Sequence, residues 1–313
     1  MPLILVYAAQ TKTLLMSYRL LVVLSCLLLL SPSQAQQDSS VIIRPDAVIS
    51  GTSATLELYF TNLRQGRVGL LRLVGPYRDA VVEASFLGQS VRFFQRRGYE
   101  GHFALLAAPI DQTPRVYDLT VSWGGENLVA PVNIVNGGFI QQDVIVVGRA
   151  NELLNREIEE AELAHLFELA APFTERALWG SRGFMPPLSA PLTSPFGAQR
   201  LFNGLYETIH TGWDYQATLG LPMGAIASGR VVFAGPLDIR GNYVLIDHGL
   251  GVYSGLAHLS VIHVIEGQEV IGGQIIGQVG NTGRSSSAHA HLEMIVNGQW
   301  VDSADFLALP LPR

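Results

Sequence analysis

Between residues 41 and 147 apolar and polar positions alternate in short runs. ATLELYFTN (Ala54–Asn62) and VYDLTVSW (Val116–Trp123) put every second side chain on one apolar face, the two-residue period of a half-buried strand. Turn material such as Gly75-Pro76 and Gly124-Gly125 separates the runs. Short strands at this spacing predict a small antiparallel β-sandwich over 41–147. The period then changes. In NELLNREIEEAELAHLFELA, Leu154, Ile158, Ala161 and Leu166 recur near helical spacing, with acidic residues early, where the helix dipole favours them. One helical linker is expected within 150–180. The proline-rich FMPPLSAPLTSPFG (Phe184–Gly197) opens a second domain at 190–307, in which strands return. They are read at GRVVFAG (Gly229–Gly235), NYVLIDH (Asn242–His248), VYSGLAHL (Val252–Leu259), QIIGQV (Gln274–Val279) and HAHLEMIV (His289–Val296). No period of about 20–50 residues repeats, which excludes a solenoid or propeller.

One apolar run does not belong to this pattern. Ser17-Tyr18-Arg19 precedes Leu20–Leu30, and Ser31-Pro32-Ser33-Gln34-Ala35 follows. A positive start, a short apolar core and small residues before the cut describe a signal peptide at 1–35, cleaved after Ala35, with Met1 or Met16 as the start. The run is short for a bilayer span, which needs about 20 apolar residues. A membrane is therefore a partner only if the segment is retained. The expected location is exported: periplasm or cell envelope. Cys26, the single cysteine, lies inside the run, so the processed chain would form no disulfide.

Composition narrows the class. Of the 313 residues, 48% are apolar and 15% charged, enough to bury a sizeable core. Glycine, at 32 residues, is frequent, as expected of many turns between strands. The net charge is −6 with no basic run, which argues against nucleic acid as the main partner. Nothing in the chain speaks to its oligomeric state.

The chemistry concentrates in histidines of the second half. His210-Thr211-Gly212-Trp213-Asp214 sets an imidazole and a carboxylate around a glycine, and Gly212 is expected to let the backbone turn so that both reach one point. In a strand, His289 and His291 would share a face. His210, Asp214 and one of the two would give three N/O ligands with a fourth position open, the arrangement of a catalytic zinc. The other histidine, with His258, would remain for proton transfer.

These blocks, in this order, resemble the lysostaphin-like (LytM-type) zinc metallopeptidases. They are SPFGAQRLFNG (Ser194–Gly204), HTGWDYQATLGLPMGAIASGRVVFAG (His210–Gly235), GNYVLIDHGLGVYSGLAHLS (Gly241–Ser260) and EGQEVIGGQIIGQVGNTGRSSSAHAHLEMIVNGQWVD (Glu266–Asp302). The resemblance covers residues 191–305. It implies a mainly β chain: an N-terminal sandwich, a helical linker and a C-terminal antiparallel β-sheet peptidase domain with an open groove. It implies one catalytic Zn2+ on His210, Asp214 and His291, with His258 and His289 flanking the water that the zinc activates. The implied activity is endopeptidase cleavage of peptidoglycan peptide cross-links. A catalytically silent wall-binding activator of a separate amidase is the alternative, and the five intact positions speak against it. Four residues depart from the family pattern: Ala288 for Pro, Ala290 for Leu, Leu292 for an aromatic residue and Leu256 for Tyr. None is a ligand. His248 and His263 are read as structural or without a role, and Arg200 and Tyr206 as residues near the groove.

Overall fold

The computed structural model describes residues 44–75 and 81–312. The segment read as a signal peptide, with Cys26, lies outside the described residues. Ile43–Arg313 form one compact unit, mainly β.

Two sheets make a sandwich. Ala47–Ser50, Thr55–Leu58, Val68–Val74 and His102–Ala107 pair antiparallel in that order. The facing sheet runs Leu63–Arg64, Glu126–Val135, Arg115–Trp123, Val82–Phe86 and Gln89–Ser90, with the first pair parallel. Leu71, Leu73, Ala104 and Leu106 meet Leu119, Val121, Ala130 and Val132 in the shared core. The strands VGLLRLV and HFALLA do not alternate, and the structure shows why. Their other faces carry Val68, Leu70, Phe103 and Leu105 into the core of the C-terminal sheet, beside Val252, Met294 and Phe306. A strand buried on both faces reads as a continuous apolar run.

The C-terminal sheet runs Leu192–Ser194, Gly212–Tyr215, Ala290–Val296, Val252–Leu259, Gly241–Asp247, Gly229–Leu237 and Glu269–Val270, antiparallel throughout. Gln199–Phe202 and Tyr206–Ile209 form a hairpin beside it, with Gln141–Val144 added in parallel.

The expected helix spans Arg156–Leu169. The Asn155 side chain caps it, accepting from the Glu157 and Ile158 amides at 2.9 and 3.3 Å. Of the apolar positions that the spacing indicated, only Leu166 is fully buried. Ala161 is exposed and Ile158 half-buried, while Glu159, Glu162 and Leu166 point inward. Leu166 packs with Tyr243, Tyr253 and Trp300. The two carboxylates are buried because two arginines of the C-terminal sheet and its loops receive them, Arg284 and Arg240.

Candidate active site

Strand register brings the site together. Gly212–Tyr215 and Ala290–Val296 pair so that Asp214 stands opposite His291, and the neighbouring strand sets Ala257 opposite His291 from the other side. His258 follows Ala257 with φ +58°, a left-handed conformation costing a non-glycine residue about 1–2 kcal/mol. Its amide donates to the Arg240 carbonyl at 2.8 Å, which fixes the bend. His289 lies one residue outside its strand, held by a bridge to Gly280. His210 precedes its strand and is tied by its amide to Ala198 and by its carbonyl to Gly197.

All five residues expected from the sequence meet at one point. Asp214 Oδ1 lies 2.7 Å from His291 Nδ1, 3.1 Å from His210 Nε2 and 3.4 Å from His289 Nε2. His210 Nε2 and His291 Nδ1 are 3.1 Å apart. The His258 ring lies 4.9 Å from that of His289 and 5.6 Å from that of His291, centroid to centroid.

The outward ring nitrogens reveal what the inward ones are. His210 Nδ1 faces the Pro195 carbonyl at 2.7 Å, His258 Nδ1 that of Thr282 at 2.8 Å, and His289 Nδ1 that of Ser287 at 2.8 Å. His291 Nε2 faces the Glu293 carboxylate at 3.3 Å. A carbonyl or carboxylate only accepts, so each outward nitrogen carries the proton. In the neutral rings the inward nitrogens are then bare lone pairs aimed at an anionic oxygen. His289 Nε2 is buried without a hydrogen-bond partner. Packed acceptors with no hydrogen between them repel one another unless a cation lies among them. His210, Asp214 and His291 offer ligand atoms all within 4.8 Å of one another, as do His258, His289 and His291. Nitrogen and carboxylate donors in this number suit a zinc-type ion, so the residues present fit the implied metal.

The electrostatics agree. Burial pushes His210 down to about 4 despite Asp214, and burial with the neighbouring His289 and His291 holds His258 well below the ordinary range. Burial would also lower His291, but Asp214 and Glu293 on its two edges outweigh it and raise it. Burial would raise Asp214, yet His210 and the other imidazoles hold it well below the usual carboxylate range. Burial thus keeps His210 and His258 neutral beside an Asp214 that stays ionised.

Gly212 has a different role from the one expected. It lies within a strand, and its φ is not among the positive ones. A Cβ there would stand 2.3 Å from the Leu292 carbonyl oxygen and 2.8 Å from His291 Nε2. Glycine is required by close approach, not by a turn.

Residues 208–303 match the Peptidase family M23 model. These residues form an M23 peptidase domain. The chain is similar to the DD-carboxypeptidase/endopeptidase Mpg of Neisseria meningitidis, 42% identical over 43% of this chain and 31% of that protein. It is similar to the peptidoglycan DD-endopeptidase ShyA of Vibrio cholerae, 42% identical over 30% of this chain and 22% of that protein. The matches thus span a third or less of these curated relatives' length. A crystal structure of the peptidase M23 type from Pseudomonas aeruginosa aligns over 79% of this chain and 96% of its own, with 27% identity and a TM-score of 0.60. The lysostaphin-like resemblance read from the ordered blocks is borne out, and so is the mainly β architecture.

Several residues that surround the M23 site were not given these roles from the sequence. Arg200, expected only to line the groove, donates to the outer oxygen of Asp214 at 2.6 Å. Glu293, Arg240 and Thr211 form a buried cluster behind His291. Glu293 was within reach of sequence reasoning, because i and i+2 share a strand face with His291. Arg240 and Glu162 carried no local signal. His248 is structural, as read: fully buried, it donates from Nδ1 to the Ser228 carbonyl and pairs with Ser254 Oγ. His263 lies by Gln278, away from the cluster.

The groove beside the M23 site is a cleft of about 730 Å³ between the helix Arg156–Leu169 and the hairpin 199–209. Against His210, His258 and His291 the space narrows to about 50 Å³, with Glu159 and Leu163 of the helix as part of its wall. That is room for one or two waters, not for a peptide. Glu159 joins the two sides of the cleft. It accepts from Arg284 at 2.8 and 3.0 Å, from the Tyr206 hydroxyl at 2.5 Å and from the Thr208 hydroxyl at 2.5 Å. Burial would raise this carboxyl, but Arg284 and the two hydroxyls bring it down to about 2. A depressed carboxyl stabilises the docked helix above its ordinary value near 4.5 and loses that contribution as pH falls toward 2. The contact stays charged at neutral pH.

Proposed function

We propose that the chain is an exported zinc metalloendopeptidase that hydrolyses peptide cross-links of peptidoglycan, in the periplasm or cell envelope. The observation that carries this reading is the convergence of bare imidazole nitrogens on Asp214 Oδ1. The named activities of the relatives support the substrate class. His210 Nε2, Asp214 Oδ1 and His291 Nδ1 would hold the ion. Bound there, zinc supplies Lewis acidity that polarises the scissile carbonyl and acidifies water. The chain's own residues do the rest. His258 and His289, each with Nδ1 fixed on a carbonyl, present Nε2 to the reacting atoms. The one that takes the proton of the attacking water becomes a donor at Nε2, faces the oxyanion with it and then passes that proton to the leaving amine. Arg200 engages the outer oxygen of Asp214, which would leave the inner oxygen to hold the ion.

Zinc content of the purified protein and clearing of a peptidoglycan suspension test this, with His291→Ala as the control. About one zinc per chain and clearing by the wild type are expected. A wild type that neither holds zinc nor clears the suspension sinks the reading. Mass analysis of released fragments then identifies the bond.

The helix Arg156–Leu169 must shift for an extended substrate to reach the histidines. Glu159→Ala removes the contact that joins the cleft walls and is expected to raise the initial clearing rate several-fold at unchanged zinc content. An unchanged or lower rate would show that the helix does not limit access.

A further inference from the structure

The cluster behind His291 has more order than packing requires. Glu293 is 1% exposed, Arg240 5% and Glu162 7%. Glu293 Oε1 faces His291 Nε2 at 3.3 Å and accepts from Arg240 Nη2 at 2.7 Å and from the Thr211 hydroxyl. Its other oxygen accepts from Arg240 Nε at 2.7 Å and from the Tyr243 hydroxyl at 2.9 Å. Arg240 thus grips Glu293 with two parallel bonds, the geometry that fixes both planes. Its remaining arm, Nη1, donates at 3.0 Å to Glu162 on the helix Arg156–Leu169. Glu162 also accepts from the Ile239 and Arg240 amides at 2.7 and 3.1 Å, so the arginine is held at both ends.

The geometry points to a relay, Glu162 to Arg240 to Glu293 to His291, that positions the metal-facing ring. We propose that Arg240 and Glu293 are positioning residues for His291, and that Glu162, outside the matched M23 segment, anchors them. The proposal rests on the zinc reading above.

Three steps support it. His291 can present Nδ1 to the ion only if its proton stays on Nε2, and a carboxylate opposite Nε2 secures that tautomer. A carboxylate on the far nitrogen also makes the ring a better donor to a cation. Glu293 can serve only if it stays ionised in a dry site. Arg240 supplies the opposing charge for this, with Nε and Nη2 each donating to the carboxylate at 2.7 Å. Two carboxylates around one arginine leave a net negative charge behind the ring, the sign that favours a cation in front of it. A lysine in place of Arg240 would keep the charge and lose the two-point grip.

The test is zinc affinity, measured by competition with a chromogenic chelator on the full chain. The variants are Glu293→Gln, Arg240→Lys and Glu162→Gln, with thermal unfolding of the zinc-free forms alongside. Outer-shell partners of a metal-bound histidine are worth about 10–100-fold in affinity. Glu293→Gln and Arg240→Lys are expected to weaken zinc binding by about that factor, and Glu162→Gln by roughly three- to tenfold as the more remote member. The unfolding profile identifies a variant that does not fold. If Arg240→Lys fails in this way, Glu293→Gln, nearly isosteric, decides the outcome. Folded variants that bind zinc as tightly as the wild type would overturn the relay. A wild type that binds no zinc would instead overturn the metal reading on which the relay rests.

Discussion

Gly212→Ala is expected to abolish peptidoglycan clearing while leaving the fold in place. The added methyl would stand 2.3 Å from the Leu292 carbonyl oxygen and 2.8 Å from His291 Nε2. Neither neighbour can yield cheaply. The carbonyl belongs to the central strand Ala290–Val296, which pairs on both sides, and His291 is held between Asp214 and Glu293. The two strands must part or the His291 ring must swing. Either change moves Nδ1 away from Asp214 Oδ1 by a distance comparable to 1 Å, and misplacement on that scale costs on the order of 100-fold in rate. Loss of the ion would add to this. Clearing assays and zinc content check the prediction. Gly180→Ala is the matched control, because its Cβ would meet only Ser228 Oγ, at 3.7 Å. A Gly212→Ala protein with wild-type clearing would mean that the close approach of these strands does not govern the site.

Leu70→Ala is the second large effect, and it acts on stability. Leu70 is 2% exposed and lies in the strand Val68–Val74, on the face turned toward the C-terminal core. Its neighbour Leu71 lies in the sandwich core. Removing the side chain leaves a cavity on the face turned toward the C-terminal core, at a cost of about 2–5 kcal/mol. In a chain of this size that corresponds to a fall in Tm of roughly 5–15 °C. The expected trace is one transition shifted downward, because the strand pair Val68–Val74 and His102–Ala107 belongs to both cores. Two separate transitions, with only the lower one moved, would show that the sandwich melts independently of the M23 domain.

The histidine cluster was legible in the sequence for a physical reason. His210, Asp214, His258, His289 and His291 sit in motifs whose spacing follows strand geometry, and their chemistry has few other uses. The face assignment of the helix was not legible. Apolar periodicity locates a buried face only where burial is driven by apolar contact. In Arg156–Leu169 two of the three buried side chains are carboxylates, Glu159 and Glu162, and their partners Arg284 and Arg240 lie far along the chain. Local reading sees charged residues and places them in solvent. The same limit applies to Gly212, where a strand glycine was read as a turn because the neighbour it accommodates, His291, is remote in sequence.

What the sequence determined by itself is the set of elements and the identity of the reactive groups: alternating strands, one helix, four imidazoles and a carboxylate in family order. Only the tertiary structure decided which ring nitrogens face inward, why Gly212 has no side chain, and that the helix closes over the cleft. Periodicity is a property of neighbours along the chain. These three features depend on contacts between segments remote in the chain, His291 with Asp214 and Glu293 with Arg240, Gly212 with Leu292, and Glu159 with Arg284, and burial makes each contact strong only once the fold has excluded water around it.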